Sequence, residues 1–258
     1  MSLPSRLASM SDLLVHGGYV GAYWGPRKED AEACAARLQR CLDGLASTSE
    51  LLASWYLRGM SSAAREPVGR EHEALVTLIS TGRHRADGSK KLMDDLGFTI
   101  GAWNGNKELP AAWDTLCGGY ADVAGIMNSF VLDLPARDQD MPSTLLYDPQ
   151  ASRAILRTII DAWDPDWAVF TSHTLRNLRD RPPRAPHVGW LTYLSSPRAV
   201  PPDAAKIASV ETQDTGTILA LGDSSVELRE RTVAELLDLL TKEGSLEPTP
   251  TTSPTWRP

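Results

Sequence analysis

The chain has 258 residues, 42% of them hydrophobic and 23% charged, with a formal net charge of −7 and an isoelectric point near 5.3. This is the composition of a globular protein of one large or two small domains, and its average field repels free nucleic acid and anionic membrane while drawing in a basic protein partner. No stretch approaches the roughly eighteen apolar residues of a membrane span, and Met1 to Val15 lacks the apolar core of a signal peptide, so a cytoplasmic location is expected.

The organising stretch is Gly18 to Pro26. Tyr19, Val20, Tyr23 and Trp24 favour an extended backbone, and Gly25-Pro26 turns the chain into a helix predicted from Asp30 to about Ala46. Ala31, Cys34, Leu38, Cys41 or Leu42, and Leu45 recur on one face of that helix, and Glu29, Asp30 and Glu32 suit its first turn. A second strand is expected over Leu52–Leu57 and a short helix over Arg70–Ser80. Phe98–Trp103, Trp113–Tyr120 and Met127–Leu134 then read as strands of an antiparallel meander separated by Gly, Asn and Pro signals.

Asp148-Pro149 combines a side-chain cap with proline in the first turn, and the helix it starts carries Ile155, Leu156, Ile159, Ile160 and Trp163 before Asp164-Pro165 ends it. A strand follows at Trp167–Phe170. Asn177–Pro186, with Arg179, Arg181 and Arg184 among three prolines, reads as an exposed loop. Val188–Leu194, Lys206–Val210 and Thr217–Leu221 are further strand candidates. Ser224 and Glu227 have capping-box spacing for a last helix running to about Glu243. The expected organisation is an N-terminal extension at 1–17, one domain at 18–246, and a Pro/Thr/Ser-rich tail at 247–258 read as disordered. The fold class is α+β, a largely antiparallel sheet with flanking helices. The halves before and after Ala136 each hold strands and a long helix, which leaves two similar lobes open.

Motifs for catalysis are missing. There is no GxSxG, GxxxxGK[ST] or GxGxxG, and His72-Glu73 lacks the second histidine of HExxH because Val76 stands there. The five histidines are scattered, and Cys34, Cys41 and Cys117 have neither disulfide nor zinc spacing, so the cysteines are expected to be buried hydrophobes. Asp203 followed by Glu211-x-Gln213 loosely matches the metal-binding core of restriction-type nucleases, with Gln213 in place of the lysine that would stabilise an attacking hydroxide. A metal-dependent phosphodiesterase using Asp203 and Glu211 is therefore the alternative reading.

Gly21-Ala22-Tyr23-Trp24-Gly25-Pro26-Arg27 and the helix after it resemble the start of the immunity protein 52 family of bacterial polymorphic toxin systems. Trp55-Tyr56, Trp103-Asn104-Gly105, Val131 to Pro135, Gly189 to Leu194 and Gly216 to Leu221 resemble it in order and spacing, over about Tyr19 to Leu246. The resemblance implies a cytoplasmic protein, without catalytic residues, metal or cofactor, that binds and neutralises a cognate toxin. In many of these systems, type VI secretion and interbacterial competition among them, the toxin carries a restriction-endonuclease-like nuclease domain. An acidic surface suits such a basic partner. The loop carboxylates Asp94, Asp95, Asp138 and Asp140 are the expected contacts, and Tyr23 and Trp24 are expected to point to opposite faces of their strand.

Overall fold

The computed structural model describes residues 17–58, 66–85, 91–121, 127–137, 142–177, 180–222 and 228–251. One antiparallel sheet holds β1 (Tyr19–Trp24), β2 (Tyr56–Leu57), β3 (Phe98–Trp103), β4 (Ala112–Cys117), β5 (Asn128–Asp133), β6 (Trp167–Thr171), β7 (Leu191–Ser195), β8 (Ser209–Gln213) and β9 (Gly216–Ala220). Their order is β2-β3-β4-β5-β1-β6-β7-β9-β8. The first strand of the chain is thus the middle one, with Tyr19 opposite Asp133 on one side and Thr171 on the other. Every β1 residue except Tyr23 is buried, as suits a strand bonded on both edges. A single sheet therefore spans both halves of the sequence.

The helices are α1 (Ala31–Thr48), α2 (His72–Thr81), α3 (Pro149–Trp163), α4 (His173–Arg176) and α5 (Glu230–Lys242). Asp30 caps α1 by accepting from Ala33 N at 2.9 Å, and Asp148 caps α3 by accepting from Gln150 N and Ala151 N. The α1 helix packs between α2 and α3. Trp163 of α3 stacks on Trp24 at 5.3 Å and on Phe130 at 5.6 Å, which places this layer on the face shared by Val20, Ala22 and Trp24. Tyr23 turns to the opposite face, where it stacks on Trp167 at 4.1 Å. There α4 and α5 cover the β6 side: His173 meets the Tyr19 ring, and Leu175, Val188, Val233 and Leu237 close together beside His187, whose ring edges Trp167.

Several local expectations change. Of Leu52–Leu57 only Tyr56 and Leu57 pair, because Glu50–Leu52 forms a 3-10 turn capped by Ser49 and Trp55 turns into the core. Pro202–Lys206 is another 3-10 turn, which delays β8 to Ser209. The short α4, begun by the Ser172 hydroxyl accepting from Leu175 N, is too brief to show a period. Ser224 and Glu227 lie outside the described residues, and α5 starts at Glu230.

Within the segment read as a disordered tail, Glu247–Pro250 is bonded to the fold. Arg184 donates to Thr249 O and Pro250 O at 2.9 and 2.5 Å, and Arg198 donates to Ser245 O and Glu247 O at 3.2 and 2.7 Å. Guanidinium donors from two distant loops satisfy the carbonyls of this Pro-rich segment.

At the α1–α3 crossing, a Cβ added to Gly44 would lie 2.5 Å from Thr158 Cγ2. Alanine gains about 1 kcal/mol of helix propensity, whereas overpacking costs about 1–3 kcal/mol. Gly44→Ala should therefore lower the urea midpoint in the native background and raise it in a Thr158→Ser background. Stabilisation by Gly44→Ala alone would contradict the close crossing.

Candidate partner-binding surface

The Gly25-Pro26-Arg27 signature is a structural clamp. Arg27 donates to Trp163 O at 2.7 Å and Asp164 O at 3.2 Å, and Arg37 donates to Ala162 O at 3.1 Å. Glu29 bridges the two guanidinium groups at 3.1 and 2.7 Å. Asp164, with φ of 47°, ends α3 in the left-handed region, so these carbonyls face the two cations and the negative end of the helix dipole is neutralised. Asp166 accepts from Gly25 N at 2.8 Å, and Asn128 donates to Gly25 O and Gly119 O. Each polar group here is engaged within the fold.

Of the expected acidic contacts, Asp94 and Asp95 are among the described residues. Asp94 is exposed and lies 3.7 Å from Arg83, while Asp95 is half-buried and its carbonyl accepts from Tyr120 N and Ala121 N. Both belong to the 3-10 turn that leads into β3. Asp138 and Asp140 lie outside the described residues.

The candidate nuclease carboxylates each answer to a different cation. Asp203 pairs with Lys206 at 2.8 Å, which, with Lys242 of α5 near, holds its carboxyl below the usual range. Glu211 points to the other side of the sheet, where, against the effect of burial, bonds from Gln213 and from Arg157 of α3 keep its carboxyl low. Among the described residues no three His, Cys, Asp or Glu side chains group to hold a metal.

The cysteines are free and buried as expected. Burial pushes Cys41 up to about 12, and a hydrogen bond with Cys34, together with burial, holds Cys117 well above the usual thiol range, so neither supplies a thiolate. His72 bonds Glu32 and His84 bonds Thr99, each at 2.8 Å.

A different surface emerges on the face of β1–β5 opposite α1–α3. Strand register aligns Tyr56, Trp103, Ala112, Asp133 and Tyr19 in one row, then Gly101, Asp114 and Val131, then Thr99, Leu116, Ser129 and Tyr23. Thr99, Asp114 and Asp133 are exposed, and Tyr56, Trp103, Leu116 and Val131 are half-buried. Among the described residues α1, α2 and α3 pack on the other face, and on this face α4 reaches as far as Tyr19 of β1. Arg58 grips Asp114 through both oxygens at 3.1 and 2.9 Å. Glycine at 101 permits this, because a Cβ there would collide with Asp114 Oδ1 and displace the carboxylate that lies against the strand. Asp133, diagonal to Asp114, has no ion pair among the described residues, and desolvation raises its carboxyl above the ordinary value. Nothing in the motif search singled out this face, whose only sequence signal is the alternation of small or polar residues along β3–β5.

A family model described as Immunity protein 52 matches residues 16–248. The chain belongs to that family. Membership supports an immunity role and implies a cognate toxin as partner. Among solved structures the immunity protein is similar to the Pseudomonas aeruginosa T6SS protein PA0821, with a TM-score of 0.52 and 12% identity over 87% of this chain and 72% of that one. At that identity the likeness shows a common fold. A search of curated proteins finds no match.

Two stability measurements separate this scaffold from the surface it carries. Arg27→Lys keeps the charge but loses the two-carbonyl grip, which should cost about 2 kcal/mol by urea denaturation; an unchanged midpoint would show that the α3 carbonyls do not need it. Burial, with Arg176 and Arg181 adding to it, lowers the His187 pKa from 6.5 to about 4. The unfolded chain then binds a proton between those values that the folded chain refuses, so stability is lost as pH falls through that window. His187→Gln should flatten stability against pH between about 6.5 and 4, and a slope equal to wild type would contradict the burial of this imidazole.

Proposed function

We propose that this immunity protein acts in the cytoplasm by direct contact, binding a cognate toxin with a basic, restriction-endonuclease-like nuclease domain and blocking it without chemistry of its own. The observation that carries this reading is the family match across residues 16–248. The net charge of −7 is complementary to a nuclease whose own surface must attract nucleic acid. The neighbour named as a T6SS protein favours delivery of the toxin by type VI secretion, in competition between bacteria. Asp94 and Asp95 are proposed contacts for the toxin's arginines and lysines, with Asp138 and Asp140 proposed from the sequence alone. No helix among the described residues is long and apolar enough to cross a membrane.

Co-expression with the toxin encoded beside this chain tests the reading. Wild type and an Asp203→Ala/Glu211→Ala double variant should protect cells equally, because protection needs a surface and not those carboxylates. Cells that die equally with and without the protein would remove the immunity assignment, and Mg²⁺-dependent phosphodiester cleavage lost in the double variant would favour the enzyme instead.

A further inference from the structure

We propose that the face of β2–β5 on which the described residues place no helix is where the toxin docks, and that Asp133 receives an arginine or lysine side chain of the toxin beside Trp103 and Val131. The proposal rests on the immunity reading above and adds to it the surface and the chemistry of the contact.

Three observations converge on this face. First, the sheet is covered unevenly. On the β6 side α4 and α5 lie over this face, whereas over β2–β5 the described residues place no helix, and Leu116 and Val131 are left half-buried. Second, of the seven tryptophans among the described residues, six are 4% exposed or less, and Trp103 alone is half-buried. A large, rigid side chain that is partly accessible on an apolar and polar surface is the kind of group that anchors protein contacts.

Third, the charge on this face is unbalanced in a specific way. Two carboxylates, Asp114 and Asp133, sit diagonally across β4 and β5, and the Arg58 guanidinium is committed to Asp114 through both oxygens. Asp133 is left partly desolvated, with His173 and Arg58 opposing that effect from a distance but forming no ion pair with it among the described residues, so an incoming cation gains a direct partner. Ala112 and Gly101, flanking Asp133 and Asp114 across the strands, keep the surface low enough for a long basic side chain to lie along it. A basic nuclease is rich in such side chains.

The test measures binding of the purified toxin domain encoded beside this chain to the full protein and to two charge reversals. Asp133→Arg should weaken binding at least tenfold, whereas Glu235→Arg, on α5 over the other half of the sheet, should bind as wild type does. Both variants are checked for an unchanged melting temperature. Carboxylate footprinting with a carbodiimide and an amine, done on the wild-type protein, provides a readout that does not depend on any variant folding. Labelling of Asp133 should fall when the toxin is added and that of Glu235 should not.

A folded Asp133→Arg protein that binds like wild type, with Asp133 labelled equally in the complex, would overturn this surface while leaving the immunity role intact. Equal weakening by Glu235→Arg would reduce the effect to general electrostatics and also overturn it. Protection of Asp133 without toxin, accompanied by a dimer mass, would assign the face to a second copy of this chain. Wild-type protein that neither binds nor neutralises the toxin would remove the reading on which the proposal stands.

Discussion

The structure depends on β1 being paired along both edges. Six residues near the start of the chain join β5, and through it the meander of the first half, to β6 and the strands of the second. That position demands apolar side chains on both faces, and Tyr19 to Trp24 supply them. Trp24 stacks on Trp163, and three residues later Arg27 bonds the carbonyls at the end of the same helix. The helical layer is thus fixed to the central strand both by ring stacking and by charge-assisted hydrogen bonds to its C-terminus. The Tyr-Trp-Gly-Pro-Arg signature is explained by assembly of the scaffold and requires no role in contact.

A protein that acts by contact needs a rigid surface, and a single sheet anchored at its middle provides one. Strands pinned through β1 cannot shift register without moving every side chain to the opposite face. The rows of side chains on β3–β5 are therefore fixed relative to one another before any partner arrives, which spares the complex the entropy of ordering a loop. The described polar groups with strong character elsewhere are absorbed by the fold: Glu29 between two arginines, Glu211 on Arg157, Asp203 on Lys206. Asp133 is the contrast, a carboxylate on a rigid strand with no ion pair among the described residues.

Much of this was legible in the sequence where local signals agreed with tertiary need. The extended β1, the amphipathic α1, the Asp148-Pro149 start of α3 and the β3–β5 meander all appear near their expected places, because periodicity, capping and turn residues point the same way. Trp55 illustrates the opposite case: its β-favouring segment is diverted into a turn because the core claims the indole. The segment Glu247–Pro250 is bonded by Arg184 and Arg198, at positions that no local rule connects to it.

The candidate surface was less legible. Loop acids such as Asp94 announce themselves as exposed, but which face of a strand stays uncovered is decided by helices far away in sequence. One trace existed: β3, β4 and β5 alternate Thr99, Asp114, Ser129 and Asp133 with core residues, whereas β6 is buried throughout and β7 at all but its last residue. That difference marks one flank as two-sided core and the other as one-sided, and only the fold says which side is open.

The central claim is that this protein neutralises its toxin by occupying it. The most direct measurement is a titration of purified toxin activity against increasing amounts of the immunity protein, followed by denaturing separation and refolding of the toxin. The account predicts inhibition that is complete at a fixed stoichiometric ratio, with toxin of unchanged mass and restored activity after separation. Inactivation of many toxin molecules by each immunity protein, or recovery of chemically altered toxin, would contradict it.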